Sequence, residues 1–318
     1  MHVSIIVSTY NRRKTVLRTV AMLLSQEYPL AEYEVIVVDD GSVDGTTEAL
    51  RQLASRSRLR VIEQENLGPS GARNAGAREA SGELLIFVDD DMTCGPGLVR
   101  AHVAAHFEQK GIVGLGAILV APEHPPNLAA EYFGTGLGRV YLQHSDAPGD
   151  PWPEGVWSFA NTSIRREELM QAGGFDERFR MREDAELGVR LSAAGIQPRF
   201  VADAIAYQWC GKSAADLVRD SEAFAEADFL FMRTHPGKTP HEFVRRLEHE
   251  GNWKRRLREL VAGNLDIADL LLAPFCALGE RFHSISPLRM LGVRALQIRC
   301  GLHWYHRVLE LAADSTHD

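Results

Sequence analysis

Three consecutive aspartates, Asp89, Asp90 and Asp91, follow an apolar run in the segment "IFVDDDMTCG". Adjacent carboxylates repel one another, so a folded protein that clusters them usually supplies a compensating cation or proton. Carboxylate oxygens are hard ligands of the kind that Mg²⁺ and Mn²⁺ prefer. The segment therefore predicts a site for a divalent cation, although one of the three can instead cap the helix that "MTCGPGLV" opens.

Two further polar clusters stand at the ends of apolar runs. The cluster "STYN" follows "VSIIV", and "DDGS" follows "YEVIVV". Helix-like segments separate these runs, which predicts an α/β fold with a mostly parallel sheet covered by helices on both faces. Because ligands bind beyond the carboxyl ends of parallel strands, we expect the three clusters to meet at one edge of the sheet.

The composition is that of a globular protein of 318 residues, with 45% hydrophobic and 25% charged residues. The formal net charge of -8 argues against a nucleic-acid partner, because nucleic-acid-binding domains usually carry a basic surface. Four scattered cysteines predict no disulfide framework. The N-terminal segment does not have the order of a signal peptide, and no run reaches the roughly 18 apolar residues of a membrane span. We therefore expect a soluble, cytoplasmic protein.

Residues 214–318 show a helical pattern throughout. Within them the locally basic stretch "VRRLEHEGNWKRRLREL" predicts a solvated helix face or, alternatively, a peripheral contact with an anionic membrane. A contact in a homo-oligomer is another role for this region. The earlier segment 123–154 is rich in Pro and Gly, and it predicts either a lid over a binding site or a surface insertion.

Five segments occur in an order that carries more information than any of them alone. They are "VSIIVSTYNR", "VIVVDDGSVDGT", "NLGPSGARNAGAREASGELLIFVDDD", "GGFDERF" and "EDAELGVRL". Together they closely resemble glycosyltransferase family 2, and the resemblance covers about residues 2–210. It implies the GT-A fold, a Rossmann-like and mostly parallel sheet flanked by helices, and inverting transfer from a nucleotide sugar. It also implies a catalytic domain at 1–213, with a nucleotide-binding half at 1–95 and an acceptor half at 96–213, before the helical region at 214–318.

The resemblance implies a role for each residue on the donor side. Asp91 is the metal ligand of the D-x-D motif, Asp90 lies against the ribose, and Asp89 supports them. The residues expected at the base or the diphosphate are Asp40 (with Asp39 as second choice) for the uracil imide, Thr9 and Tyr10 beside the base, and Arg73 at either group. Tyr10 can alternatively be a packing aromatic, and Arg73 a surface arginine of a helix.

On the acceptor side, inverting transfer needs a base that takes the proton of the acceptor. Similar enzymes use the aspartate of the "ED" pair, which is Asp184 here, with Glu183 beside it. The alternative is an acidic helix N-terminus stabilised by the helix dipole. Arg182 precedes the pair where many relatives have glycine. Gln208 stands where many relatives carry a histidine, so either its amide oxygen completes the metal site or Asp91 serves alone.

The resemblance implies a UDP-sugar as donor and assistance by Mn²⁺ or Mg²⁺. We expect transfer of a single sugar, because the Q-x-x-R-W signature of processive synthases is absent. The acceptor can be a saccharide, a lipid-linked intermediate, a natural product or a peptide. One alternative is a nucleotide-sugar-binding module without turnover, which Gln208 suggests. Another is a phosphatase similar to haloacid dehalogenases, whose D-x-D-x-T pattern "DDDMT" formally matches, although the later acidic pair of that family is missing.

Overall fold

The structure, a computed structural model, describes residues 1–125, 127–132, 157–238, 259 and 261–314. The strands are β1 (Val3–Thr9), β2 (Tyr33–Asp39), β3 (Leu59–Glu63), β4 (Leu84–Val88), β5 (Met92–Cys94), β6 (Ile112–Val120), β7 (Asn161–Arg165) and β8 (Gln197–Gln208). The helices are α1 (Arg13–Leu23), α2 (Thr46–Ala54), α3 (Gly68–Glu79), α4 (Leu98–Glu108), α5 (Arg166–Gln171), α6 (Glu183–Ala193), α7 (Ala214–Thr234), α8 (Leu265–Arg281) and α9 (Ser286–Asp314).

These strands form one sheet in the order β3-β2-β1-β4-β7-β6-β8-β5. The strands β3, β2, β1 and β4 run parallel to one another, and β8 runs parallel to β6. The strand β7 is antiparallel to β4 and β6, and β5 is antiparallel to β8. The four parallel strands on the β3 side therefore direct their carboxyl ends to the same edge of the sheet.

Both faces of the sheet are covered, because alternate residues of the central strands enter two separate cores. Ile5 and Ile86 pack on one face with residues of α1 and α4. Ile6 and Phe87 pack on the other face with residues of α3 and α6. All five residues of β4 are buried, which explains why its sequence is a continuous apolar run and not an alternating one.

Small residues let α3 lie close to the sheet. A Cβ atom at Gly76 would stand 2.5 Å from Cγ2 of Ile6, so a larger residue would push the helix away from β1. The helix begins at Gly68, whose φ of +81° lies in the left-handed region that glycine adopts without strain. Because α3 carries Arg73 and Asn74, this close packing fixes two side chains that the candidate site uses.

The chain divides into two compact units, Met1–Pro122 with Leu137–Trp209, and Glu123–Gly136 with Cys210–Asp318. In the second unit, Trp304 of α9 donates to the buried Asp228 of α7 at 2.8 Å. The helices α8 and α9 cross closely, since a Cβ atom at Gly279 would lie 2.6 Å from Cα of Gly292. In the part of the chain that the structure describes, no helix combines the length and the apolar character needed to cross a membrane.

The predicted fold class is confirmed: a mostly parallel α/β sheet is flanked by helices, and helices follow it towards the C-terminus. The functional division at residue 213 stays a prediction. The predicted lid at 123–154 and the predicted basic helix at 244–260 fall mostly outside the described residues.

Candidate active site

The carboxyl ends of β1, β2 and β4 bring the three polar clusters together, as expected. Thr9 is in register with Asp39, and its carbonyl oxygen accepts from the backbone N–H of Asp40 at 2.9 Å. The Thr9 hydroxyl donates to Oδ2 of Asp90 at 2.7 Å. All four of these residues are buried. The predicted ribose aspartate therefore lies directly against the end of the first strand.

Both aspartates of the "DDGS" turn are hydrogen-bonded within the chain. Asp40 accepts from Gln64 at 2.6 Å and from two backbone N–H groups at the start of α3, each at 2.9 Å. Asp39 accepts from the backbone N–H of Ser42 at 3.1 Å and from the Thr47 hydroxyl. A carboxylate offers about four acceptor positions, so each aspartate retains room for a further donor such as a base N–H.

The turn after β1 is joined to the turn after β2. Tyr10 is 47% exposed, so the alternative of a packing aromatic is wrong. Asn11 has a φ of +53°, its backbone N–H donates to the Ser42 hydroxyl at 2.8 Å, and its side chain accepts from the backbone N–H of Val43 at 2.8 Å. These bonds fix the backbone of Asn11, and the side chains of Tyr10 before it and Arg12 after it project from this backbone.

Asp90 and Asp91 form a buried carboxylate pair that faces a partly exposed arginine. Nη1 of Arg12 lies 3.0 Å from Oδ2 of Asp91 and 3.5 Å from Oδ1 of Asp90. The Arg12 side chain is 39% exposed, whereas the two carboxylates are 10% and 9% exposed. Burial raises the pKa of Asp90 to about 7 and that of Asp91 to about 6, although Arg12 opposes both shifts. The positive charge of Arg12 therefore compensates the pair only in part.

The two carboxylate oxygens of Asp91 differ in their partners. Its Oδ1 is buried and has no hydrogen-bond partner of good geometry among the described residues, and the Gln208 side chain, within hydrogen-bonding reach of the carboxylate, lowers the pKa of Asp91. The register of β5 with β8 pairs Met92 with Gln208. Within the described ranges, no three His, Cys, Asp or Glu side chains converge on one point. This donor set fits a cation that takes one carboxylate, with or without the amide, and completes its shell with water and phosphate oxygens.

Arg73 joins the triple aspartate to the acidic pair. Its Nη2 lies 3.0 Å from Oδ1 of Asp89, and its Nη1 lies 2.6 Å from Oε1 of Glu183. The side chain is 9% exposed and stands over the ring of Phe175, 5.6 Å from its centroid. The alternative of a surface arginine is therefore wrong. The predicted contact of Arg73 with the base or the diphosphate stays a prediction.

Other polar side chains of α3 form hydrogen bonds with the backbone of the "GGFDERF" segment. Asn74 donates to the carbonyl of Phe175 at 2.9 Å and accepts from its backbone N–H at 2.8 Å, as a neighbouring strand would. The Ser70 hydroxyl donates to the carbonyl of Phe179 at 2.7 Å. A Cβ atom at Gly174 would lie 2.7 Å from Oδ1 of Asn74, so this junction suits glycine. These contacts set the position from which the chain enters α6.

The acidic pair stands in the first turn of α6. Glu183 is bound to Arg73, whereas Oδ1 of Asp184 accepts the backbone N–H of the adjacent Ala185 at 2.7 Å. Burial, together with the neighbouring Glu183, raises the pKa of Asp184. Arg182 has a φ of +64°, in the left-handed region that glycine adopts with the least strain. Asp184 is therefore the member of the pair better suited to accept a proton.

Sequence reasoning missed three contributors to this site, Arg12, Thr19 and Asn74. The buried Thr19 hydroxyl of α1 contacts the carbonyls of Asp90, at 2.9 Å, and Met92, at 2.7 Å, and so fixes the backbone on both sides of Asp91. Arg12 directly follows "STYN", and that position at a strand end was a usable signal. Thr19 gave no signal, because a threonine within a helix is unremarkable without its tertiary contacts.

Fold and site together define a class of protein. A mostly parallel α/β sheet that is flanked by helices and carries acidic strand ends at one edge has the features of the GT-A fold of glycosyltransferases. Residues 4–132 match the model of the family "Glycosyl transferase family 2". These residues carry a domain of this glycosyltransferase family, and the family predicted from the motifs is confirmed.

Relatives and solved structures agree with this assignment. Validoxylamine A glucosyltransferase of Streptomyces hygroscopicus subsp. jinggangensis is 31% identical over 280 residues, which cover 76% of this chain and 62% of that protein. Glycosyltransferase AglE of Haloferax volcanii is 42% identical over 96 residues, 30% of this chain and 31% of that protein. The chain spans about 60% of the length of the first curated relatives that it matches, 62% and 58%.

Two solved structures share the fold. Mannosyltransferase PcManGT from Pyrobaculum calidifontis, in complex with GDP-Man and Mn²⁺, has a TM-score of 0.64 at 22% identity and covers 97% of this chain and 87% of its own. S. aureus TarS 1-349, in complex with UDP-GlcNAc, has a TM-score of 0.59 at 19% identity and covers 99% and 92%. These likenesses confirm the GT-A fold.

Proposed function

We propose that the chain catalyses inverting, metal-assisted transfer of one sugar from a UDP-sugar to a nucleophile of an acceptor. The observation that carries this proposal is the buried Oδ1 of Asp91, which has no hydrogen-bond partner among the described residues. Such an oxygen costs free energy unless it meets a ligand, and a divalent cation satisfies it. The mannosyltransferase structure with GDP-Man and Mn²⁺ and the TarS structure with UDP-GlcNAc support a nucleotide sugar as donor.

The donor side is held by residues at the ends of β1, β2 and β4. Asp91, with Gln208 beside it, would hold Mn²⁺ or Mg²⁺, which supplies charge neutralisation to a departing diphosphate. Asp90, fixed by the Thr9 hydroxyl, accepts from the ribose. A vacant acceptor position on Asp40, or on Asp39 as second choice, receives the imide N–H of uracil. The exposed ring of Tyr10 flanks the base.

On the acceptor side, Asp184 acts as the general base. As the acceptor oxygen forms its bond to the anomeric carbon, the bond from that carbon to the diphosphate oxygen breaks on the opposite side, and the acceptor proton passes to Asp184. A raised pKa suits this role, since a base is most effective when its pKa lies near the working pH. Glu183 is held by Arg73 and orients the start of α6.

The acceptor class stays open among saccharides, lipid-linked intermediates, natural products and peptides. One relative is named as a glucosyltransferase of validoxylamine A, which is a statement about that protein. A cytoplasmic location, a homo-oligomer and a membrane contact through residues 244–260 stay predictions. The family membership removes the phosphatase alternative.

The test compares Asp91→Asn with Asp184→Asn on a panel of UDP-sugars and acceptors, with Mn²⁺, with Mg²⁺ and with EDTA. We expect Asp91→Asn to remove the part of turnover that depends on metal. We expect Asp184→Asn to keep UDP affinity within a few-fold while transfer falls by about 10²-fold or more, the scale of a lost general base. Asp203→Asn, at an exposed position of β8, is the matched control and should behave as the wild type.

Two results would contradict the proposal. Tight UDP binding without turnover on any acceptor would identify a binding module, the alternative that Gln208 suggests. Equal losses of UDP affinity and transfer in Asp184→Asn would show that Asp184 belongs to the nucleotide site and is not the base.

A further inference from the structure

Arg12 combines a fixed backbone with an accessible side chain. Its carbonyl oxygen accepts from the backbone N–H of Val16 and from the Thr15 hydroxyl, each at 3.0 Å, as the residue that precedes α1. Asn11 before it is tied to the turn after β2. The guanidinium itself reaches the buried carboxylates from a side chain that is 39% exposed. The anchor of Arg12 is thus rigid, whereas its tip can be displaced into solvent.

The position of this guanidinium conflicts with a metal ion at Asp91. Nη1 of Arg12 lies 3.0 Å from Oδ2 of the same carboxylate whose Oδ1 is open to a ligand. Two cations that share one buried carboxylate repel each other strongly, because water screens them poorly there. A metal ion alone must therefore compete with Arg12 for the charge of Asp91.

A nucleotide diphosphate relieves that conflict. It brings phosphate oxygens to the site, and the planar guanidinium binds such oxygens with paired hydrogen bonds. Oδ1 of Asp90, 3.5 Å from Nη1 of Arg12, is a further oxygen within reach of a guanidinium that leaves Asp91. When donor and metal enter together, each positive charge consequently has a negative partner.

We propose that Arg12 is an exchangeable counter-cation: it neutralises Asp91 in the donor-free protein and transfers to the diphosphate of the donor when metal binds at Asp91. This inference rests on the proposed metal-assisted function. It makes Arg12 a donor-binding residue that couples two ligands, since metal and nucleotide each remove an obstacle to the binding of the other. By linkage, the factor by which UDP strengthens metal binding equals the factor by which metal strengthens UDP binding.

The test measures Mn²⁺ affinity by electron paramagnetic resonance of free Mn²⁺, with and without UDP, for the wild type, Arg12→Gln, Arg12→Lys and Arg13→Gln. In the wild type we expect UDP to strengthen Mn²⁺ binding by about 10-fold or more, within the usual range of coupling. In Arg12→Gln we expect Mn²⁺ alone to bind about 5-fold to 10-fold more tightly than in the wild type, and the effect of UDP to shrink to about 3-fold or less. The affinity of Arg12→Lys for Mn²⁺ alone should stay close to that of the wild type, because the charge is kept.

Arg13→Gln is the matched control, because Arg13 is an exposed neighbour whose recorded contact is a backbone bond to Asp44. It should leave both affinities within about two-fold, since it removes the same charge outside the carboxylate pair. Thermal unfolding of each variant verifies that it is folded. Unchanged or weaker binding of Mn²⁺ alone by Arg12→Gln overturns the inference, and so does an equal loss with and without UDP, which would mark a purely structural arginine.

The failure of this inference is distinct from the failure of the proposed function. If the wild type binds Mn²⁺ and UDP cooperatively and Arg12→Gln does so to the same extent, only the role of Arg12 is wrong. If the wild type turns over UDP-sugar without binding Mn²⁺ even in the presence of UDP, metal assistance is wrong and the inference falls with it.

Discussion

Two arginine–carboxylate clusters stand at the same edge of the sheet, and they are built differently. In the first, the 9% exposed side chain of Arg73 has a separate carboxylate for each of two nitrogens, Asp89 and Glu183. In the second, one nitrogen of the 39% exposed Arg12 serves both Asp90 and Asp91. The first cluster has two negative charges bridged by a buried cation, whereas the second leaves Oδ1 of Asp91 without a partner among the described residues.

The difference shows how a run of three aspartates can serve two purposes. Asp89 is directed to α3, where Arg73 joins it to Glu183 of α6, the helix that carries Asp184. Asp90 and Asp91 face the partly exposed Arg12, and Oδ1 of Asp91 has no hydrogen-bond partner of good geometry among the described residues. Burial of the cation separates the cluster that maintains the architecture from the cluster that exchanges partners, and the following predictions test that separation.

The largest effect is expected when the buried arginine is removed. Arg73→Met leaves Asp89 and Glu183 without their shared cation, and breaking a buried ion pair in this way costs about 3–5 kcal/mol of unfolding free energy. Arg51→Met is the matched control, since Arg51 forms a pair with Glu63 in which its side chain is 58% exposed. That exposed pair should contribute at most about 1 kcal/mol. Urea unfolding of both variants measures the difference, and equal losses would refute the distinction by burial.

A buried network without ion pairs gives a second test of burial. His102 and His106 of α4 lie within hydrogen-bond distance of the Ser163 hydroxyl, each at 2.9 Å, and His102 also contacts Asn161 at 3.0 Å. Both histidines are buried, and the strand β7 that they support pairs with β4 next to Asp89. Burial lowers the pKa of each imidazole from 6.5 to about 4. The folded protein therefore keeps both rings neutral at a pH where the unfolded chain protonates them.

This network predicts a loss of stability in acid. Between pH 6.5 and pH 4 the unfolded state binds more protons at His102 than the folded state, so the unfolding free energy falls as the pH falls. The pKa difference corresponds to about 3 kcal/mol for this residue. His102→Gln should lose the pH-dependent part of the unfolding free energy that His102 contributes. As the pH approaches 4, the unfolding free energies of the variant and the wild type should therefore converge. Urea titrations from pH 7.5 to pH 4 measure this, and parallel curves for the two proteins would contradict the assigned role of burial.

The sequence was informative about strand ends and much less so about partners. An apolar run followed by aspartates locates a strand end because both signals are local, and so the meeting of "STYN", "DDGS" and "DDD" could be predicted. The ion pair of Arg73 with Glu183 joins residues 110 positions apart, and its existence depends on how the chain returns to α3. The two hydrogen bonds between the Asn74 side chain and the backbone of Phe175 depend on the same long-range path of the chain. Local patterns therefore gave the acidic residues of the site, whereas tertiary contacts decided which cation each of them meets.

The smallest effect is expected at the partly exposed Arg12, and it should depend on pH in the opposite direction to the histidine network. Burial holds the pKa of Asp90 at about 7 and that of Asp91 at about 6, above the ordinary value of 3.8, and Arg12 opposes both shifts. Without Arg12 both values should rise further. The folded protein then takes up protons that the unfolded chain does not, and this proton-linked stability is lost as the pH rises through the folded values.

At pH 6, proton uptake by the buried carboxylates should replace most of the missing charge, so we expect Arg12→Gln to lose about 1 kcal/mol of unfolding free energy or less, the scale of an ion pair with a partly exposed arginine. At pH 8 the carboxylates must ionise without Arg12, so the loss should be larger than at pH 6. Urea unfolding of the metal-free protein at both pH values, with Arg13→Gln as control, measures this change. A loss that is the same at pH 6 and pH 8, or as large as that of Arg73→Met, would show that Arg12 belongs with the permanent framework and that the two clusters are alike.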